Sequence, residues 1–316
     1  MVNKFSIKIL GIIFVLLLII VAWRYIFNAG KNERSFRSTL VSIDTAKVTS
    51  ISLYPQATGH KEVKIFKEGN YWNVNLSNGK TASVPYSKVQ DLFVQLLNIK
   101  PESVAGQNES QWKEFQVDST GTRVKVYQGN NKTLDITIGK FTYQQPRTMS
   151  TYVRVEDDPN VYQTNGFLTY SFNHDADYFR DDHVINDDYH NWNKLTFTYP
   201  ADSSFQLIKE NNRWELNGIQ ADSANVVNYL STLSQIEDPN FLDNPNQSMF
   251  RKSLYTLTIQ TSSLGAINVS AFADTSDMAI TSTQFNNTYF DGKKADFWKR
   301  IFVSKKQFLK SSKSKK

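Results

Sequence analysis

The sequence predicts an α+β protein: a single N-terminal transmembrane helix, followed by two tandem repeated modules of antiparallel sheet with a packed helix. Three observations carry this expectation. Residues 9–23 (ILGIIFVLLLIIVAW) are the one long apolar run among 316 residues. Much of the remainder alternates apolar and polar residues at the period of two that marks half-buried strands. A pattern of strand, hairpin and helix also occurs twice, beginning at Lys47 and again at Lys194.

The apolar run comes first. With Tyr25, Ile26 and Phe27 added beyond Arg24, it approaches the ~20 residues a helix needs to cross a bilayer core. Arg24 sits near one end, where its side chain can reach the interface beside Trp23 and Tyr25. Residues 9–27 are therefore the expected contact with the lipid bilayer. A cleaved signal peptide is the rival reading, because Lys4 and Lys8 form a basic leader, but no Ala-x-Ala cleavage site follows. The chain has no cysteine, which excludes a lipoprotein anchor, disulfides and thiolate metal sites. Basic residues flank the run on both sides, so the charge rule does not orient it. The long body favours translocation, which gives a single-pass inner-membrane protein with its body in the periplasm.

The formal net charge of +6 suggests nucleic acid until it is located. Six lysines fall within residues 305–316, and Lys4, Lys8, Arg24, Lys31, Arg34 and Arg37 flank the apolar run. The body from Ser38 to Ser304 is left mildly acidic, so no basic face exists to track phosphates and no nucleic-acid partner is expected. The terminal KSSKSKK reads as a solvated end.

The repeat sets the domain plan. Segment 47–55 (KVTSISLYP) corresponds to 194–200 (KLTFTYP), each an alternating strand closed by proline. Segment 63–75 (VKIFKEGNYWNVN) matches 205–217 (FQLIKENNRWELN), two hairpins whose returning strands open on Trp72 and Trp214. A helix follows in each half, Tyr86 to Ile99 and Asp222 to Ile236, with apolar residues at helical spacing. Ser87, and Asp222 or Ser223, are the expected N-caps. Further strands are expected at 123–127, 134–139, 152–156 and 161–164, and at 254–261, 266–272, 279–283 and 288–290. Helix-like segments at 167–179 and 295–302 end the halves. The plan is a tail, anchor and juxtamembrane linker over 1–37, modules over 38–180 and 194–304, a linker over 181–193, and a basic disordered tail over 305–316. Trp72, Trp112 and Trp214 are assigned to the core, since they lie inside these patterns.

Phe36 to Leu53 (FRSTLVSIDTAKVTSISL), the hairpin carrying Trp72, 112–118 (WKEFQVD), 122–127 (TRVKVY), 138–141 (IGKF), 152–154 (YVR), and Val161-Tyr162 leading into 166–168 (GFL) and Phe179-Arg180 resemble domain-of-unknown-function family 4340. The resemblance covers most of 36–180 and continues more weakly through the second half. It implies a membrane-anchored envelope protein of Bacteroidota and some other bacteria, whose gene often lies beside those of gliding-motility-type ABC exporters. It supplies no catalytic residues. Asp44-Thr45-Ala46, Asp118-Ser119-Thr120 and Asp222-Ser223-Ala224 resemble the O-glycosylation pattern of such proteins, although two of them also suit a turn and a helix cap.

Residues 173–192 (NHDADYFRDDHVINDDYHNW) hold three of the four histidines among six aspartates. Imidazole and carboxylate can bind a divalent ion or act as a base with its orienter, which makes His174, His183, His190 and Asp187 the metal candidates. Their spacing is not that of a helical His-x-x-x-His site, and no EF-hand glycine follows. No nucleophile elbow, phosphate loop or HExxH motif is present. The sequence therefore assigns no catalytic residue, metal or cofactor. It favours a non-enzymatic extracytoplasmic accessory protein docked on a membrane partner, an ABC transporter permease in the reading the resemblance supports. The alternative is a periplasmic hydrolase or glycan- or ligand-binding protein using residues 173–192.

Overall fold

The computed structural model describes residues 37–145, 148–285 and 288–310, together with Phe14, Leu16 and Leu17. Among them two antiparallel sheets dominate. The first comprises β1 (Ser50–Tyr54), β2 (Val63–Glu68), β3 (Tyr71–Asn75), β4 (Thr81–Val84), β5 (Pro101–Gly106), β6 (Thr122–Gln128), β7 (Asn131–Gln144), β8 (Thr148–Val155) and β9 (Val161–Asn165). Their order is β4-β3-β2-β1-β6-β7-β8-β9-β5. The second comprises β10 (Trp192–Thr198), β11 (Phe205–Glu210), β12 (Arg213–Leu216), β13 (Ile219–Gln220), β14 (Tyr255–Thr261), β15 (Gly265–Ala273), β16 (Met278–Ser282) and β17 (Phe290–Asp291). Their order is β13-β12-β11-β10-β14-β15-β16-β17.

This corrects the expected architecture of a transmembrane helix followed by two sheet-plus-helix modules. Helix and strand are both present, but the two longer helices are only Tyr86–Leu97 and Ser223–Leu233. The segment expected as a helix over 167–179 breaks into two single turns, Thr169–Phe172 and Ala176–Phe179, because Asp175 caps a new turn by accepting from the Tyr178 amide. The segment over 295–302 is interrupted where Ala295 and Asp296 take left-handed backbone, leaving Phe297–Ile301 as one short helix. Among the described residues no helix is long and apolar enough to cross a membrane. Of the anchor expected over 9–27, all but Phe14, Leu16 and Leu17 lies outside the described residues, as do residues 311–316 of the expected tail.

Ser87 is not a cap. It lies inside the first turn of its helix, and the Pro85 carbonyl accepts from the Lys88 and Val89 amides. Asp222 does cap its helix, accepting from the amides of Ala224 and Asn225. Strand β5 escaped the sequence reading because PESVAG opens on proline and lacks clean alternation, features that suit the sheet edge it occupies.

The chain divides into two compact units. One is formed by the described residues up to Val48 with Leu53–His60 and Leu92–Asn173, the other by Thr49–Ser52, Lys61–Asp91 and the described residues from His174 onward. In the first, Val124, Val126, Ile136, Ile138, Val153 and Val155 form a buried apolar row on one face of β6, β7 and β8. The turn Trp112–Phe115 lies over the opposite face, with the Phe115 ring 4.6 Å from that of Tyr152. Gly139 permits this approach: a Cβ there would lie 2.2 Å from the Phe115 carbonyl oxygen.

The second unit has an aromatic core. Phe197, Phe205, Tyr229 and Phe308 are buried, and the Phe197 and Phe205 rings stack at 4.2 Å. Each such side chain contributes about 1.5–3 kcal/mol by leaving water. The polar ends are satisfied, since the Tyr229 hydroxyl donates to the Ile301 carbonyl at 2.6 Å and that of Tyr199 to Val303 at 3.0 Å. Burial raises both phenols well above their ordinary range, with Tyr255 adding to the effect at Tyr199 and Tyr199 at Tyr229.

Candidate functional site

From His174 onward the histidine- and aspartate-rich segment lies in the second unit, and each part of it is held by identifiable contacts. Asp175 caps the turn Ala176–Phe179, which delivers Arg180 into a buried position. Its guanidinium lies 3.7 Å from the centre of the Phe241 ring, and Nη1 donates to Asp243 at 2.6 Å and to Asp177 at 3.0 Å. Its Nε is buried without a hydrogen-bond partner.

Lys88 then ties the segment down. Its ammonium donates to the carbonyls of Tyr178 (3.0 Å) and Arg180 (2.7 Å) and to Asp182 Oδ1 (3.2 Å). Those three bonds use all three ammonium protons. The main chain continues the attachment: the Asp181 amide donates to Ser83, Val184 to Ile236, and Asp238 to Asp182. Residues 181–184 are thereby fixed alongside 236–238, and His183 forms an antiparallel bridge with Glu237.

Within this frame His183 Nδ1 lies 2.8 Å from Asp181 Oδ1, and Nε2 lies 2.9 Å from Glu237 Oε1. Carboxylates only accept, so both contacts are hydrogen bonds when the ring carries both protons. Among the described residues, Asp181, Asp182 and His183 form the group whose ligand atoms lie within 4.8 Å of one another. A cation there would compete with the Lys88 ammonium for Asp182 and with the imidazole for Asp181.

The other candidates are placed apart from that group. His174 stacks on Tyr178 at 3.6 Å with the rings 4° from parallel. His190 is exposed and contacts Asp188 at 2.6 Å. The backbone and ring of His190 hold the Asp188 carboxyl below its usual range. Asp187 accepts from the Trp192 indole at 2.8 Å and from the Ser263 hydroxyl at 3.0 Å, which locks the start of β10. The structure thus brings His183 to Asp181, Asp182 and Glu237, but gives His174, His190 and Asp187 separate partners. Lys88 and Glu237, which complete the arrangement, are far away in sequence and carry no local motif.

A second feature was not read from the sequence. Strands β7 and β8 run on past the expected ends at Gly139 and Tyr152, and this extension pairs Tyr143 with Met149. Tyr143 is 52% exposed, Met149 48%, Phe167 46% and Tyr170 64%. The ring of Phe141 lies 4.5 Å from that of Phe167, which in turn lies 6.2 Å from Tyr170. The alternation of Phe141 and Tyr143 beyond Gly139 was the available signal. All five residues belong to the first unit.

The acids of the three glycosylation-like triplets all make local bonds. Asp44 accepts from the Ala46 amide, Asp118 from the Thr120 amide and hydroxyl, and Asp222 from the amides that begin its helix.

Fold and sites together define a β-dominated protein whose features are surfaces and charge networks built on two antiparallel sheets. The chain belongs to the family described as Domain of unknown function (DUF4340), whose model matches residues 72–279. No curated protein and no solved structure matches it.

Proposed function

We propose that the chain is a non-enzymatic interaction module of the cell envelope, an extracytoplasmic accessory subunit that docks on a membrane partner of the ABC exporter permease class. The exposed apolar group of Tyr143, Met149, Phe167 and Tyr170 carries this reading. Aromatic residues and methionine are enriched at protein interfaces, and a cluster of them left in water marks a contact surface. The apolar run at residues 9–23 supports an address at the cell inner membrane with the body in the periplasm, and the gene neighbourhood implied by the family resemblance supports the choice of partner. The alternative, a periplasmic hydrolase or ligand-binding protein using residues 173–192, draws support from the Asp181, Asp182 and His183 group. It is the weaker reading, because Lys88 already pairs with Asp182 and both ring nitrogens of His183 meet carboxylates.

The test is affinity purification of the tagged protein from its own membranes in mild detergent, with co-purifying proteins identified by mass spectrometry. Stoichiometric recovery of an ABC permease, lost in a Tyr143→Asp, Phe167→Ser variant that keeps its unfolding midpoint, is the expected result. Recovery of the protein alone after crosslinking overturns the docking reading and moves a Zn2+ titration of the Asp181 to His183 group to the front.

A further inference from the structure

On the polar face of β6, β7 and β8, Arg123, Thr137 and Arg154 form one cross-strand row. Arg123 is committed to neighbouring acids. Its Nε and Nη2 grip Asp135 at 2.6 and 2.8 Å, and Nη2 also reaches Glu156 at 2.5 Å. Lys132 closes the ring by bonding both carboxylates. Two cations and two carboxylates make this network neutral.

Arg154 stands outside it. Its Nε donates to the Val117 carbonyl at 3.1 Å and Nη1 to that of Val155 at 3.4 Å, while the guanidinium lies 3.9 Å from the centre of the Trp112 ring. These partners are neutral, and among the described residues no carboxylate forms an ion pair with Arg154. Burial, and then repulsion from Arg123, both depress its affinity for its own proton. Asp135, Glu156 and Glu109 attract its charge from a distance, but none bonds it; a guanidinium held by neutral partners and in no direct ion pair is arranged to receive an anion.

The space for one is present. A cavity of about 380 Å³ is lined by Tyr54, His60, Asp118, Ser119, Arg123 and Arg154, among others, a volume within the usual range for small-ligand pockets. The remainder of the lining narrows the chemistry. Hydrogen bonds from Thr120 hold the Asp118 carboxyl below its usual range, and Glu156, paired with Arg123 and Lys132, also lines the cavity, so negative charge shares the pocket and disfavours a multiply charged anion. The Asp118 carboxylate, with the hydroxyls of Tyr54, Ser119 and Thr137, suits a ligand rich in hydroxyl groups.

We propose that this pocket binds a sugar carboxylate, as a free sugar acid or as a uronic acid unit of a saccharide, with its carboxylate on Arg154 and its hydroxyls on Asp118 and Ser119. It is independent of the apolar docking surface, which shares no residue with it.

The experiment is calorimetric titration of the full chain in detergent with D-glucuronate, a galacturonate trimer, D-glucose and inorganic phosphate. Glucuronate is expected to bind saturably, with glucose at least about ten-fold weaker, the scale of one charge-assisted hydrogen bond. Tighter binding of the trimer identifies a polymer as the source, and equal binding identifies the free acid. Arg154→Gln should weaken glucuronate by about ten-fold or more. Ser119→Trp places bulk at the exposed mouth and should abolish binding at an unchanged unfolding midpoint, which keeps the test valid if the Arg154 variant does not fold. Absence of saturable binding by both acids, equal affinity for glucose, tighter binding of phosphate than of glucuronate, or a Ser119→Trp protein that binds like the parent overturns the proposal.

Discussion

The hairpins β2–β3 and β11–β12 share a register and differ at their turns. Lys67 faces Trp72 as Lys209 faces Trp214, and Ile65 faces Val74 as Leu207 faces Leu216. Both tryptophans are buried to the same extent. The first turn has one centre with positive φ, Gly69, whereas the second has two, Asn211 and Asn212. Gly in the first central place and Asn in both are separate solutions to one requirement, a turn whose twist matches the strands it joins. The buried face fixes the register of this repeat, because a slip by one residue would turn every apolar side chain outward, while the turn only has to supply the twist.

The largest expected effect tests that equivalence directly. Trp72→Ala and Trp214→Ala should each destabilise by about 3–5 kcal/mol, the range for removing a buried aromatic. Denaturant unfolding of the two variants, followed by fluorescence and circular dichroism, gives the comparison. Similar losses support two equivalent hairpins, and a loss confined to one shows that only one of them anchors its surroundings.

Next in size is a contrast between buried polar groups. The phenols of Tyr199 and Tyr229 leave water with one carbonyl partner each, but strand β7 buries a charge, since only 5% of the Asp135 side chain is exposed. Burial works to raise the Asp135 carboxyl, yet hydrogen bonds from Arg123 and Lys132 outweigh it and hold the group below its ordinary value. Asp135→Asn should therefore cost about 2–4 kcal/mol at neutral pH, reduced from the fully buried case because its cationic partners are part-exposed. A carboxyl lowered in the folded state stabilises above its unfolded pKa of about 3.9 and loses that contribution as pH falls through the folded value. The gap between parent and variant should close below about pH 4. A gap that persists in acid would show that Asp135 acts through packing and not through its charge.

The helix caps come third. Asp222→Ala removes the acceptor for two amides and should cost about 1 kcal/mol, whereas Ser87→Ala lies within a first turn capped by the Pro85 carbonyl and should change stability by less than about 0.5 kcal/mol. Thermal unfolding of the pair decides it. Equal effects would mean that Ser87 shares the capping.

Strand identity and the hairpins were legible because alternation over four or more residues, with Gly-Asn or Asn-Asn between, has few other readings. The helix expected over 167–179 was not, since its apolar residues fit a helical period while Asp175 offered the backbone a competing cap. The sites were harder still. His183 depends on Lys88 and Glu237, and Arg154 is distinguished by the direct ion pair it lacks; sheet pairing and loop closure create both arrangements, and no local spacing encodes them. Phe141 and Tyr143 could have been found, because their alternation continues past Gly139, but the glycine resembled a strand end. A Cβ there would lie 2.2 Å from the Phe115 carbonyl oxygen and 2.7 Å from Val117 Cγ1, so this glycine marks a close approach of backbone inside the strand.

The smallest effect sharpens the opening comparison most. If the register belongs to the buried face, exchanging the turn centres should leave both hairpins paired as they are. Gly69→Asn places Asn at a φ of 60° that Asn211 and Asn212 already resemble at 48° and 62°, and Asn is among the residues that tolerate this region. Asn211→Gly removes side-chain strain at the cost of a more flexible unfolded chain. Both changes should stay within about 1 kcal/mol, and the cross-strand amide contacts between Lys67 and Trp72 and between Lys209 and Trp214 should survive in NMR spectra. Gly69→Val is the control, since a β-branched residue is an outlier at positive φ and should cost more than Asn. A register shift in the Asn variant would assign the pairing to turn chemistry and make the likeness of the two hairpins a consequence of their loops.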